Sequence, residues 1–214
     1  MQTIDSRKMK NKTILYTFCI VLFLFFSKSF IVQAQYFGKN KAQYKVFDWK
    51  YIESKHFDVY YNKGSKYLAE FSAQALEKAL ISVQNTLNFK LTQRIAVVVY
   101  DSHNDFQQTN VIDLYLSQGI GGVTELYKNR VVVPFQGDYS QLRHVLHHEL
   151  VHAVINDMFY GGTVQTALTT TGVFFLPLWL NEGLAEWESL GGMNIETDMF
   201  MRDLTMSENL PSLD

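Results

Sequence analysis

The sequence predicts an α+β domain: a mixed, twisted β-sheet packed on a long helix, followed by a central His-Glu-x-x-His helix and a further helical segment. Three observations predict it. Runs rich in aromatic and β-branched residues at 44–52, 56–61, 94–100, 123–127 and 130–135 read as strands. Apolar residues at helical spacing across 67–87 and again across 138–158 read as two long helices. Pro177, suited to a first helical turn, opens a third helix over 178–190.

The chain begins differently. Arg7, Lys8, Lys10 and Lys12 precede an apolar run over 14–26, and Val32-Gln33-Ala34 follows at the usual cleavage spacing. That pattern predicts a signal peptide over 1–34 and an exported protein, in the periplasm, outer envelope or outside the cell. Thirteen apolar residues are too few to span a bilayer comfortably. Removing 1–34 takes five of the 19 basic residues and one of the 21 acidic ones, leaving 14 against 20 and a formal charge of −6. An acidic balance argues against a nucleic-acid partner. The single cysteine, Cys19, lies in the apolar run, so any metal site in the mature segment must use histidines and carboxylates.

Residues 35–43 read as a polar leader, and 44–214 as one domain with enough chain for a sizeable core. The first two strands form a hairpin around Glu53-Ser54-Lys55. The helix over 67–87 turns Leu68, Phe71, Ala75, Leu76, Ala79 and Leu80 to the sheet. The continuous run over 94–100 fits a central strand buried on both faces. A short helix and an irregular connection fill 101–118, and Gly119, Gly121 and Gly122 mark a turn. The strands at 123–127 and 130–135 form a hairpin around Lys128-Asn129. Pro134, lacking an N–H, assigns the second of them to the sheet edge. There Val131, Val132 and Val133 are expected to receive a peptide substrate as an added strand. The chain stops at a turn-like Leu210-Pro211-Ser212-Leu213-Asp214, which reads as part of a longer protein with a further domain or envelope partner beyond Asp214.

Asp138, with Gln141 three residues on, caps the next helix. Leu142, Leu146, Leu150, Ala153 and Val154 fall opposite His148 and His152, so the helix is buried with its histidines in a cleft. Two histidines four apart project about 40° from one another around the axis and can share one metal ion. Glu149, about 100° from His148, can reach a water on that ion as general base. His-Glu-x-x-His alone recurs by chance in roughly 1 chain of this composition in 100, so its context must decide. A catalytic zinc takes three protein ligands and an open position. The remaining histidines and the downstream carboxylates are candidates for the third. Glu182 and Glu186 lie one turn apart on the 178–190 helix, so one can bind the metal while the other hydrogen-bonds a ligating imidazole. His144 and His147 read as surface or supporting residues, and Trp179 and Trp187 as core packing.

With Trp179-Leu180-Asn181-Glu182-Gly183-Leu184-Ala185-Glu186 following His148-Glu149-Leu150-Val151-His152, the chain resembles the gluzincin zinc metallopeptidases. Within that clan it looks most like the peptidase MA-like domains of exported bacterial proteins, some of which precede a TolB-like β-propeller. The resemblance implies a zincin-like fold and one Zn2+ held by His148, His152 and Glu182. It also implies Glu186 as the partner of a ligating histidine and Glu149 as the base that activates the metal's water for hydrolysis of a peptide or protein substrate. A domain of the same build kept only for binding or structure, within a larger envelope protein, is the alternative. Twenty-nine residues separate His152 from Glu182, more than in the aminopeptidase branch, whose exopeptidase element is also missing. An endopeptidase is therefore expected. No Tyr or His is assigned to the oxyanion.

Overall fold

A computed structural model describes residues 16–18, 41, 43–112, 116–126, 128–161 and 176–210. The expected signal peptide and leader lie outside the described residues except at 16–18, 41 and 43, as do 211–214. Among the described residues, no helix is long and apolar enough to cross a membrane. Residues 39–214 form one contact unit, described below, and 1–38 another.

The architecture is mixed α and β. The strands are β1 (Trp49–Glu53), β2 (Phe57–Asn62), β3 (Ile95–Tyr100), β4 (Val123–Glu125) and β5 (Arg130–Pro134). The helices are α1 (Lys66–Leu87), α2 (His103–Phe106), α3 (Tyr139–Tyr160), α4 (Leu178–Leu190) and α5 (Ile195–Met206). The sheet order is β1-β2-β3-β5-β4, with β2, β3 and β5 parallel and both outer strands antiparallel to their neighbours. The 22-residue helix α1 makes the crossover that a parallel β2–β3 pair requires.

Strand periodicity sends Phe57, Val59, Ile95, Val97, Val99, Val131 and Val133 to one face, all at most 1 % exposed. Leu68, Leu76, Leu80 and Val83 of α1 and Leu142, Leu146, Leu150, Ala153 and Val154 of α3 pack against that face in a single core. Tyr100, Phe106, Leu116 and Val132 form a smaller cluster on the opposite face.

Two expectations need correction. The first strand begins at Trp49 rather than at residue 44, because the preceding backbone is engaged elsewhere. The N–H groups of Tyr44 and Lys45 both donate to Gln108 Oε1 at 3.1 Å.

More consequential is β5, which is not the sheet edge. It pairs with β3 on one side and β4 on the other, and Val131, Val132 and Val133 are fully buried. Both of its edges are taken, so it cannot receive a peptide as an added strand in the way expected of these valines. Pro134 is tolerated because it ends the strand opposite Tyr100, whose carbonyl accepts instead from Phe135 N at 2.8 Å. The edge beyond it is the three-residue strand β4.

The helix bearing His148 and His152 is fixed at both ends. The Asp138 carboxylate accepts from the N–H groups of Ser140 (2.6 Å) and Gln141 (3.3 Å), as an N-cap should. Gly161 closes the helix in the left-handed region at φ 62°, donating to the Asp157 carbonyl. Asp157, 2 % exposed, also holds Thr92 through its N–H (2.6 Å) and hydroxyl (2.7 Å), tying the end of α3 to the entry of β3.

Candidate metal centre

Successive turns of α3 place His148 above His152, with their Nε2 atoms 3.1 Å apart. Helix α4 follows Pro177, whose φ of −52° suits a helix start, and brings Glu182 over the pair. Glu182 Oε2 lies 3.2 Å from His148 Nε2 and 3.5 Å from His152 Nε2. Donors held about 2.0–2.1 Å from a tetrahedral ion stand roughly 3.3–3.4 Å apart. The three separations bracket that value, so these residues fit a zinc ion.

Charge and lone pairs point the same way. The Nδ1 of His148 faces Glu186 Oε2 at 3.1 Å, which fixes its proton on Nδ1 and leaves Nε2 a lone pair. That lone pair looks at a second imidazole nitrogen and a carboxylate oxygen. With both imidazoles protonated on Nδ1 the three atoms are all acceptors, and a cation between them would be bound by each. His152 Nδ1 and Asn181 Oδ1 are both buried without a geometrically good partner, and Asn181 interacts with His152. His144 Nε2 approaches the same Glu186 Oε2 at 3.4 Å, so it supports this carboxylate from one turn earlier on α3. Burial holds the His152 imidazole below its usual pKa, against the opposing pull of Glu182.

Glu149 reaches β4, and only 7 % of it is exposed. Thr124 Oγ1 donates to Glu149 Oε2 at 2.6 Å, with the Glu149 carbonyl also in reach at 3.1 Å. Burial pushes the carboxyl up to about 7; the Thr124 hydroxyl and His148 pull it down, and Glu182 adds to the rise. The backbone at Gly122 comes so close that a Cβ there would lie 2.9 Å from Glu149 Cγ, Glu149 Oε1 and Val145 Cγ1. Glycine is required at that point by contact alone.

The His148–His152–Glu182 cluster and Glu149 open on one cleft of about 750 Å³, which runs along β4 and is lined apolarly by Ile112, Ile120, Leu126, Ile155 and Phe159. No lysine or arginine lines it among the described residues. Tyr160 reaches it; the side chain of Tyr127 lies outside the described residues.

The structure thus brings together His148, Glu149, His152, Glu182 and Glu186, and keeps Val131, Val132 and Val133 away in the sheet interior. Trp179 and Trp187 are each 52 % exposed and are not core packing, because α4 buries only the arc carrying Ala185 and Glu188. Sequence reasoning missed Gly122, Thr124 and Asn181 as site residues. Gly122 and Thr124 stand two apart, hence on one face of an extended segment, and a glycine there signals a close backbone approach. No protein-family model matches the chain, and no curated protein matches it either.

Proposed function

We propose that the chain is a zinc-dependent metallopeptidase of endopeptidase type with a zincin-like fold, held by His148, His152 and Glu182 on one Zn2+ and using Glu149 as general base. The spacing of the three donor atoms, 3.1 to 3.5 Å, is the observation that carries this reading. Bound there, zinc supplies Lewis acidity toward a carbonyl and lowers the pKa of water.

The protein's own groups do the rest. Thr124 occupies Oε2 of Glu149, which leaves Oε1 to take a proton from water in the cleft and deliver it to the leaving amine. Glu186 orients the His148 imidazole through Nδ1. Among the described residues β4 pairs with no further strand, so its outer edge, beside Glu149, is where an extended peptide would pair and gain register. The signal-peptide pattern of 1–34 supports action outside the cytoplasm.

An unstructured protein such as a casein, incubated with the zinc-loaded chain and with its Glu149→Gln variant, tests the proposal. Cleavage by the first and not the second is expected; equal cleavage by both, or none by either, overturns it.

A further inference from the structure

Glu188 is a buried carboxylate that the proposed chemistry does not use. It is 6 % exposed, at a position where an amphipathic helix ordinarily carries an apolar residue. Its two oxygens are taken by two hydroxyls of another helix: Ser82 Oγ donates to Oε1 at 2.5 Å and Thr86 Oγ1 to Oε2 at 2.8 Å. Ser82 and Thr86 stand one turn apart on α1, so the carboxylate is gripped in a fixed plane. His147 of α3, half-buried and held below its usual pKa by desolvation, has its Nε2 3.9 Å from Glu188 Oε1.

The location on α4 gives this grip its consequence. With about 100° per residue and Glu182 at zero, Glu186 falls near 40°, Leu184 near 200°, Glu188 near 240° and Ala185 near 300°. Glu188 therefore lies within the face packed on the core, between Leu184 and Ala185, while Glu182 and Glu186 stand on that face's flank. Apolar contacts at Leu184 and Ala185 are non-directional and leave the helix free to roll. Hydrogen bonds are directional and stop it. A roll of about 10° moves a carboxylate some 5–6 Å from the axis by about 1 Å, whereas zinc–ligand distances tolerate about 0.2 Å. Glu182 cannot correct this by itself. Its side chain is 50 % exposed, and among the described residues its hydrogen bonds and ion pairs go to the two histidines it must join on the metal.

We infer that Glu188, gripped by Ser82 and Thr86, is a positioning residue that sets the rotation of α4 and thereby the zinc affinity of the His148–His152–Glu182 site. The inference rests on the metal-site reading above.

The test is zinc affinity of the full chain, measured by competition with a chromophoric chelator, alongside the thermal melt of each metal-free protein. Glu188→Leu fills the buried position with an apolar side chain of similar reach and should stay folded while binding zinc about 10-fold more weakly or worse. Glu188→Gln keeps an acceptor for one hydroxyl and a donor to the other, and should stay within about threefold of wild type. The double variant Ser82→Ala/Thr86→Ala removes the grip from the other side, keeps the carboxylate, and should reproduce most of the Glu188→Leu loss. Should Glu188→Leu fail to fold, that pair decides the matter. Wild-type affinity in the folded Glu188→Leu or in the hydroxyl pair overturns the inference. So does an equal loss in Glu188→Gln and Glu188→Leu, which would make charge rather than geometry the cause. Absence of zinc binding by the wild type would overturn the metal-site reading itself, and is told apart because it needs no variant.

Discussion

The Thr124 hydroxyl and the Glu149 carboxylate meet at 2.6 Å, joining the edge strand β4 to the helix that carries His148 and His152. A carboxylate that must take up a proton and release it needs a fixed direction, and one oxygen held by a hydroxyl supplies it. Hydrogen bonds to charged groups contribute about 1.5–3 kcal/mol, more than tenfold in a rate if the contact is needed in the transition state. Thr124→Val, which keeps the shape and removes the donor, should lower kcat about 10-fold or more. Zinc affinity should stay unchanged, because Thr124 touches none of the three metal-facing donors. Thr124→Ser should restore most of the rate. A Thr124→Val enzyme with wild-type kcat would show that the contact does not position the base.

Gly122 brings a steric counterpart to that hydrogen bond. A methyl group there meets two Glu149 atoms and Val145 at 2.9 Å, below any ordinary contact distance. Part of that contact is with the buried base of helix α3, which cannot retreat freely. Gly122→Ala should cost about 1–3 kcal/mol of stability, the usual range for overpacking, and lower activity further than the lost stability explains. Urea denaturation and initial rates on the same preparation check both. A variant as stable and as active as wild type would mean that β4 yields without moving Glu149.

The helices were legible because their signals are local. Asp138 caps α3 as its sequence context says, and α4 spans Leu178–Leu190 after Pro177. The spacing of His148 and His152 already implied one shared ligand position. Strand order was not legible, since an alternating or apolar run tells which faces are buried and not which neighbours it has. Val131-Val132-Val133 is as continuous an apolar run as the one in β3, and that continuity reported an interior strand. Pro134 pointed to the edge instead, although a proline that ends its strand says nothing about the strands on either side. Proline at Val132 would therefore break the sheet interior rather than probe substrate pairing. The exposure of Trp179 and Trp187 was hidden for a related reason: hydrophobicity states a preference for burial and not the presence of a partner. Thr124 and Glu149 meet across 25 residues of chain, which no local pattern reports.

Metal binding should be visible in stability alone. If zinc binds the folded chain and not the unfolded one, 100 times Kd of free ion adds about 2.7 kcal/mol, roughly 5 to 10 °C in Tm for a domain of this size. A chelator should reverse the shift. Glu182→Ala removes one of three donors and should abolish most of it, while Glu186→Ala, which leaves the donors in place, should weaken zinc about 10- to 100-fold. Equal shifts in wild type and Glu182→Ala would place the ion elsewhere.

The metal-free protein should also report the buried state of Glu149 through pH. Its folded pKa of about 7 lies above the ordinary 4.5, so between those values the folded chain keeps a proton that the unfolded chain has lost. Stability contributed by this group therefore falls as pH rises from about 4.5 to about 7, by roughly 3 kcal/mol in all. His147 and His152 act in the opposite direction. Burial holds them below 6.5, the unfolded chain binds more protons there, and their contribution grows as pH rises toward 6.5. The wild-type profile is then a partial cancellation and cannot identify Glu149 by itself. The difference from Glu149→Gln can, because both proteins keep the two histidines. With chelator present, the stability of Glu149→Gln minus that of wild type should increase steadily between pH 4.5 and 7 and level off above. A flat difference, or one that falls with pH, would mean that Glu149 ionises in the fold as easily as in water, and the picture of a base sheltered under Thr124 and Gly122 would fail with it.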